Sequence, residues 1–263
     1  MGTTKNIFRN GKAMEENSIQ QKAEQEIALE KALSLLNNYK RKAYLPRTQV
    51  KQREFSSASK FGGFPYLRNK NDWPICPNCG NNMQLFLQLN LEDLPERRGE
   101  GLIQLFYCTN SDPHCESELE AFFPFSQAVC CRKISIAGES SQVEPNLQEI
   151  FSEKVIIGWD MVNDYPHFEE HEALGIEIDD NLFELMEEQG IGMPIEKDKL
   201  FGWPHWIQSV EYPHDRKTEA QMDLLFQLAS EDNLPYMFGD AGIGYLAQSP
   251  DNKHEFGFGW ACA

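Results

Sequence analysis

Nowhere in this 263-residue chain do 18 apolar residues run together. A helix needs about 20 such residues to cross a bilayer, so no helical membrane span is expected. The first ten residues lack an apolar segment, which predicts no secretory signal and a cytoplasmic protein. The cysteines number seven, an odd count. Without export, reduced thiols are expected, and paired thiols then point to metal rather than to disulfides. Cations are also missing locally: no Lys or Arg stands between Val155 and Glu196. Residues 1–70 carry 14 Lys and Arg against 6 Asp and Glu, a balance of +8; with a net charge of −17, the remaining residues carry −25. Such a body repels nucleic-acid phosphates and favours a basic polypeptide partner.

Gly and Pro are absent from Ala13 to Leu45. Ala28, Leu29, Ala32, Leu33, Leu36 and Tyr39 recur there at helical spacing, predicting an amphipathic helix after a disordered start over residues 1–12. Lys40-Arg41-Lys42 suits the negative end of the helix dipole, and Pro46 is expected to stop the helix. From Phe55 onward, short apolar runs alternate with Gly, Pro, Asn and Asp, a pattern of strands and turns. Strands are expected over Met83–Leu91, Val155–Trp159 and His254–Cys262. Short helices are expected over Glu144–Glu153 and, ended by Gly190, over Asp179–Gln189.

The chain repeats itself. Lys60-Phe61-Gly62-Gly63-Phe64-Pro65 matches Lys199-Leu200-Phe201-Gly202-Trp203-Pro204 at an offset of 139. Met83–Leu89 matches Met222–Leu228 at the same offset. The expected fold is mainly β, a β-rich α+β protein. A tail and helix over residues 1–45 precede one domain over 46–263. That domain holds two related units, about 60–125 and 199–262, packed about a pseudo-twofold axis.

Four cysteines carry the clearest chemistry. Cys76 and Cys79 form a Cys-x2-Cys knuckle backed by Gly80, and Cys108 and Cys115 follow. Four thiolates close a tetrahedron around zinc and leave no open position, so a structural zinc is expected. The wide spacing of the last pair leaves His114 as an alternative to Cys115. Gln88 and Gln227 interrupt apolar strands at equivalent positions; they would either bridge the halves or bind an extended peptide backbone. Trp203 and Asp240 join them as candidate binding residues. Gly239–Gly244 lacks the lysine of a phosphate loop and reads as a hairpin turn. His167, Glu170 and His171 offer an inverted His-x-x-Glu-His order, the basis of an alternative reading as a metal-dependent hydrolase.

The blocks Lys60–Pro65, Leu87–Leu91, Gly202–Trp206, Leu225–Leu228 and Met237–Gly242 resemble the YwqG-like family, over about residues 40–263. That resemblance implies a mainly β, internally duplicated fold and supplies no catalytic residue. The cysteine-bearing half is similar to the zinc region of the programmed-cell-death-2 and Tsr4 proteins, dedicated chaperones for a ribosomal protein. This second likeness implies a protein-binding module. A purely structural assembly component is the remaining expectation.

Overall fold

The computed structural model describes Gln20 and residues 22–263. The expected disordered start and the opening of the helix at Ala13 lie outside the described residues. Residues 22–36 are helical (α1). The strands that follow in the first half are β1 (Arg41–Lys51), β2 (Lys60–Phe61), β3 (Gln84–Asn90), β4 (Leu102–Tyr107) and β5 (Val129–Ile134). The later strands are β6 (Glu153–Asp164), β7 (Lys199–Phe201), β8 (Asp223–Ala229), β9 (Ile243–Gln248) and β10 (Phe256–Ala261). Among the described residues three α-helices intervene: α2 (Cys115–Glu118), α3 (His171–Leu174) and α4 (Asp180–Gln189).

The strands form one antiparallel sheet in the order β10-β9-β8-β7-β1-β6-β2-β3-β4-β5. The long pair β1–β6 lies at its middle. On one side β2 to β5 follow in chain order, and on the other β7 to β10 do the same. The sheet curls until its edge strands β5 and β10 approach each other. There Trp260 N donates to Phe122 O at 3.1 Å. Nearly closing the sheet hides edges that would otherwise pair with other chains. Apolar side chains of both halves share one core, with Phe61 and Phe226 packed at 5.8 Å between ring centroids. A smaller core sets Leu29, Ala32 and Leu36 of α1 against Ile176 and Met186.

Two expectations of local structure fail. The helix stops at residue 36, and Arg41 and Lys42 open β1 instead of closing α1. Pro46 sits inside that strand, opposite Trp159. β7 covers β1 only at Ala43 and Tyr44, so an open edge lies beside Pro46, where no ladder needs its missing N–H. Residues 144–152 are irregular rather than helical. Their backbone serves the first half instead: Asn146 N donates to Asn82 Oδ1 at 2.8 Å and Gly63 N to Phe151 O at 3.1 Å. By contrast α4 forms as read, with Asp179 Oδ1 accepting from Leu182 N at 3.1 Å and Gly190 closing it at φ 62°.

The repeated Lys-x-x-Gly motif anchors each half to the central strand. Lys60 Nζ meets Glu153 Oε2 at 3.0 Å, and Lys199 Nζ meets Asp164 Oδ2 at 2.8 Å. Glu153 and Asp164 are the two ends of β6. Both lysines are fully buried, and burial pushes both below their ordinary values, Lys199 to about 8, against the pull of their carboxylates. The motif glycine makes room: a Cβ on Gly63 would strike the Glu153 carboxylate, and one on Gly202 that of Asp164. Both glycines have positive φ, 71° and 82°.

Candidate functional site

Cys76, Cys79, Cys108 and Cys115 come together, their sulfurs all within 4.8 Å of one another. Among the described residues this is the one grouping of three or more ligating side chains. The knuckle is shaped by its backbone: Gly80 N donates to Cys76 O at 2.9 Å, with Gly80 at φ 74°. Cys108 follows the end of β4, and Cys115 opens α2. Cys79 Sγ lies 3.7 Å from Cys108 Sγ. Burial pushes the Cys108 and Cys115 thiols up. Burial works the same way on Cys76, but the N–H groups of Cys79 and Asn78, with the neighbouring thiols, bring it below its ordinary value. Asn78 Nδ2 lies 3.4 Å from Cys115 Sγ and donates to Glu118 at 2.8 Å. Polar N–H groups thus surround sulfurs that would carry charge on a metal, as the support of a ligand set requires. His114 stands outside the cluster; its Nδ1 accepts from Ser117 N at 3.3 Å and caps α2.

The proposed binding amides are spent inside the protein. Gln88 Nε2 donates to Ser56 O and Ala58 O at 2.9 and 2.8 Å, and its Oε1 accepts from Tyr66 N and Gln104 Nε2. Gln227 does the same in its own half, donating to Ile195 O and Lys197 O and accepting from His205 N. Each therefore pins the loops flanking its own Lys motif, and neither bridges the halves nor reaches the surface. Trp203 is also buried, its Nε1 bonded to Tyr39 O at 2.8 Å and its ring capped by the Arg41 guanidinium at 3.4 Å. Asp240 is exposed in the turn before β9.

His167, Glu170 and His171 do not converge on a common point. Glu170 Oε1 accepts from Trp206 Nε1 at 2.8 Å and Tyr212 Oη at 2.7 Å, which occupies it as an anchor for aromatics. His167 and His171 line a cavity of about 470 Å³ with His205. Burial lowers all three imidazoles below their ordinary value, His167 to about 4 with His205 and His171 adding to the effect. At neutral pH they are uncharged side chains in a partly apolar pocket.

The second half contains a counterpart of the knuckle that sequence reasoning missed. Asp215 stands 139 residues after Cys76, and its loop repeats the same bonds. Asp215 N donates to Ala220 O, Glu219 N to Asp215 O and Met222 N to Pro213 O, as Cys76 N does to Asn81 O, Gly80 N to Cys76 O and Met83 N to Pro74 O. Asp215 Oδ1 accepts from Lys217 N and Thr218 N at 2.8 and 3.1 Å. Ser249 and these N–H groups hold its carboxyl below the usual range. The cue was present in the offset, which sets a carboxylate where the first half has a thiol.

One further link ties the thiol cluster to the second half. Glu116, beside Cys115, accepts from Tyr107 Oη at 2.7 Å and from Tyr236 Oη. Trp260 Nε1 donates to Tyr107 Oη at 2.9 Å. The seam between β5 and β10 is thus held from next to the cluster.

These features define a class: an antiparallel β protein of two like halves, with a largely buried four-thiol cluster compatible with a metal site in one half. The chain belongs to the family described as "Domain of unknown function (DUF1963)", whose model matches residues 59–258. It is also similar to the uncharacterized protein YpfL of Salmonella typhimurium, 32% identical over 65 residues. That segment is 24% of this chain and 14% of the relative's own length. No helix among the described residues is long and apolar enough to cross a membrane.

Proposed function

We propose that this chain is a cytoplasmic, zinc-stapled module that binds a basic polypeptide, in the manner of a chaperone for a cationic partner. The observation that carries the reading is the acidic lobe between Val155 and Glu196. Glu169, Glu172, Asp179, Asp180, Glu184 and Glu187 are all exposed on it, and no Lys or Arg interrupts them. A field of one sign raises the encounter rate with a cation and suppresses that with nucleic acid.

Zinc is the metal that the donor set favours. Four soft thiolates suit it, and a tetrahedron of about 2.3 Å Zn–S bonds has S···S edges of about 3.8 Å. The Cys79–Cys108 separation of 3.7 Å fits such an edge. With four protein ligands no position is left for substrate, so the metal would hold the knuckle against β4 and α2. The likeness of the cysteine-bearing half to the programmed-cell-death-2 and Tsr4 proteins supports the same polypeptide-binding reading. The hydrolase alternative is the less favoured reading, because Glu170 Oε1 accepts from Trp206 Nε1 and Tyr212 Oη.

Calorimetry against a Lys/Arg-rich peptide and a duplex oligonucleotide tests the partner. Peptide binding should weaken steeply from 0.1 M to 1 M salt, as the screening length falls from about 10 Å to about 3 Å. Tight oligonucleotide binding with none to the peptide overturns the reading. Elemental analysis of protein purified in reductant without added metal should find one zinc per chain.

A further inference from the structure

Where the curled sheet comes nearest to closing, a cavity of about 260 Å³ opens to solvent. Trp206, Tyr212, Tyr245 and Trp260 line it, with Phe122 and Pro124 on the β5 side and Glu211 among the lining residues. Trp206 packs against Tyr212 at 5.0 Å and 83°, and against Tyr245 at 4.9 Å and 43°. The rings therefore meet at steep angles and wall the space from several sides.

The polar tips of these rings are already taken. Trp206 Nε1 and Tyr212 Oη both bond Glu170. Tyr245 Oη bonds His205 O at 2.7 Å, and Trp260 Nε1 bonds Tyr107 Oη. The four rings thus offer a guest carbon edges and π-faces, and the polar lining is Gln208, whose Nε2 donates to Cys262 O, and Ser209, whose hydroxyl donates to Glu211 Oε1. A proline-rich strand needs N–H or O–H donors from such rings for its carbonyls, and none of the four can give one. No Lys or Arg lines the cavity, while Glu211 adds a carboxylate beside Tyr245. A negative π-face with a nearby carboxylate attracts a cation that is weakly hydrated and has few N–H groups to satisfy.

We infer that this aromatic cavity binds an alkylated ammonium group, either on a methylated lysine side chain or on a free choline-like molecule. The space is below the usual range of about 300–1,000 Å³ for small-molecule pockets, a fit for a headgroup rather than a large ligand. The inference goes beyond the polypeptide reading and holds whether or not the acidic lobe takes a basic partner.

The test uses the full chain and tryptophan fluorescence, since Trp206 and Trp260 line the site. The probes are tetramethylammonium, choline, a trimethyl-lysine peptide, its unmethylated form, and 3,3-dimethylbutanol as the neutral isostere of choline. Trimethylated cations should bind about tenfold or more tighter than the alcohol and the unmethylated peptide. A tighter trimethyl-lysine peptide assigns the source to a side chain, and equal affinity for choline assigns it to a free molecule; both support the inference. Glu211→Gln, at an exposed position, should weaken binding severalfold, and Tyr212→Leu should abolish it. If Tyr212→Leu fails to fold, the ligand series and Glu211→Gln decide. Equal binding of the alcohol, binding of a polyproline peptide alone, or no binding of any cation at millimolar concentration overturns the inference.

Discussion

The two knuckles are the same loop built twice with different chemistry. In the first half Cys76 receives N–H groups from Asn78 and Cys79, and three further thiols gather round it. In the second half Asp215 receives N–H groups from Lys217 and Thr218, and no cluster forms. Gly80 at φ 74° answers to Glu219 at φ 60°. One carboxylate oxygen, Oδ1, takes both local N–H groups as in an Asx turn, so the loop closes without a ligand cluster, although Oδ2 is left buried without a partner. Four thiols brought together are not self-sufficient; without a metal they are weak hydrogen-bonding groups confined by burial. The loop is thus fixed by the chain's geometry, and the four-thiol cluster is an addition to one copy.

The largest effect should come from removing that addition. If the cluster holds zinc as proposed, Cys79→Ser should release it; structural zinc contributes about 10–16 kcal/mol in isolated zinc-finger peptides at pH 7. Hydrogen exchange should show lost protection over residues 74–83 and 105–119, with residues 213–222 holding. The seam should loosen too, because Glu116 sits beside Cys115 and holds Tyr236. Intact protection at the first knuckle after confirmed metal loss would end the comparison.

Next come the buried ion pairs, where the halves are alike. Lys60→Met and Lys199→Met each strand a buried carboxylate, at about 3–5 kcal/mol by denaturant titration. Comparable losses sharpen the comparison. A loss in one half alone would show that only that half is anchored to β6.

Asp215→Ala should cost less, since its N–H partners lie in a surface loop that water can reach. A modest fall in melting temperature is expected, largely restored by Asp215→Asn, which keeps an acceptor. No change in either variant would show that the second knuckle needs no replacement for its thiol.

The smallest effect is the pH dependence, which is also specific to the second half. His167, with a value lowered from 6.5 to about 4, contributes stability that is complete above 6.5 and lost as pH falls through 4. His171 and His205 are lowered and act in the same direction. Asp198 acts oppositely: burial and Asp232 raise it from 3.8 to about 7, so its contribution is complete below 3.8 and lost as pH rises through 7. Melting temperature from pH 4 to 7 should therefore be shallow in the wild type. It should fall more steeply with acid in Asp198→Asn and flatten in His167→Gln. An unchanged profile in both variants would refute this assignment.

Much of this protein was determined by its sequence alone. The offset of 139 marked the duplication because each copy repeats a Lys, a Gly and a Gln that the fold uses for the same bonds. The Cys-x2-Cys-Gly knuckle announced four thiols because a tight turn with a glycine at positive φ is a local event. α4 was legible for the same reason, through Asp179 and Gly190. Tertiary structure decided what depends on distant partners. Arg41–Leu45 became a strand because β6 and β7 needed a neighbour. Residues 144–152 stayed irregular because Asn81, Asn82 and Gly63 claimed their polar groups. Gln88 and Gln227 proved to be braces, since a buried amide bonds whatever backbone surrounds it. The aromatic cavity had no signature in the chain because Phe122, Trp206 and Trp260 meet only where the sheet curls shut.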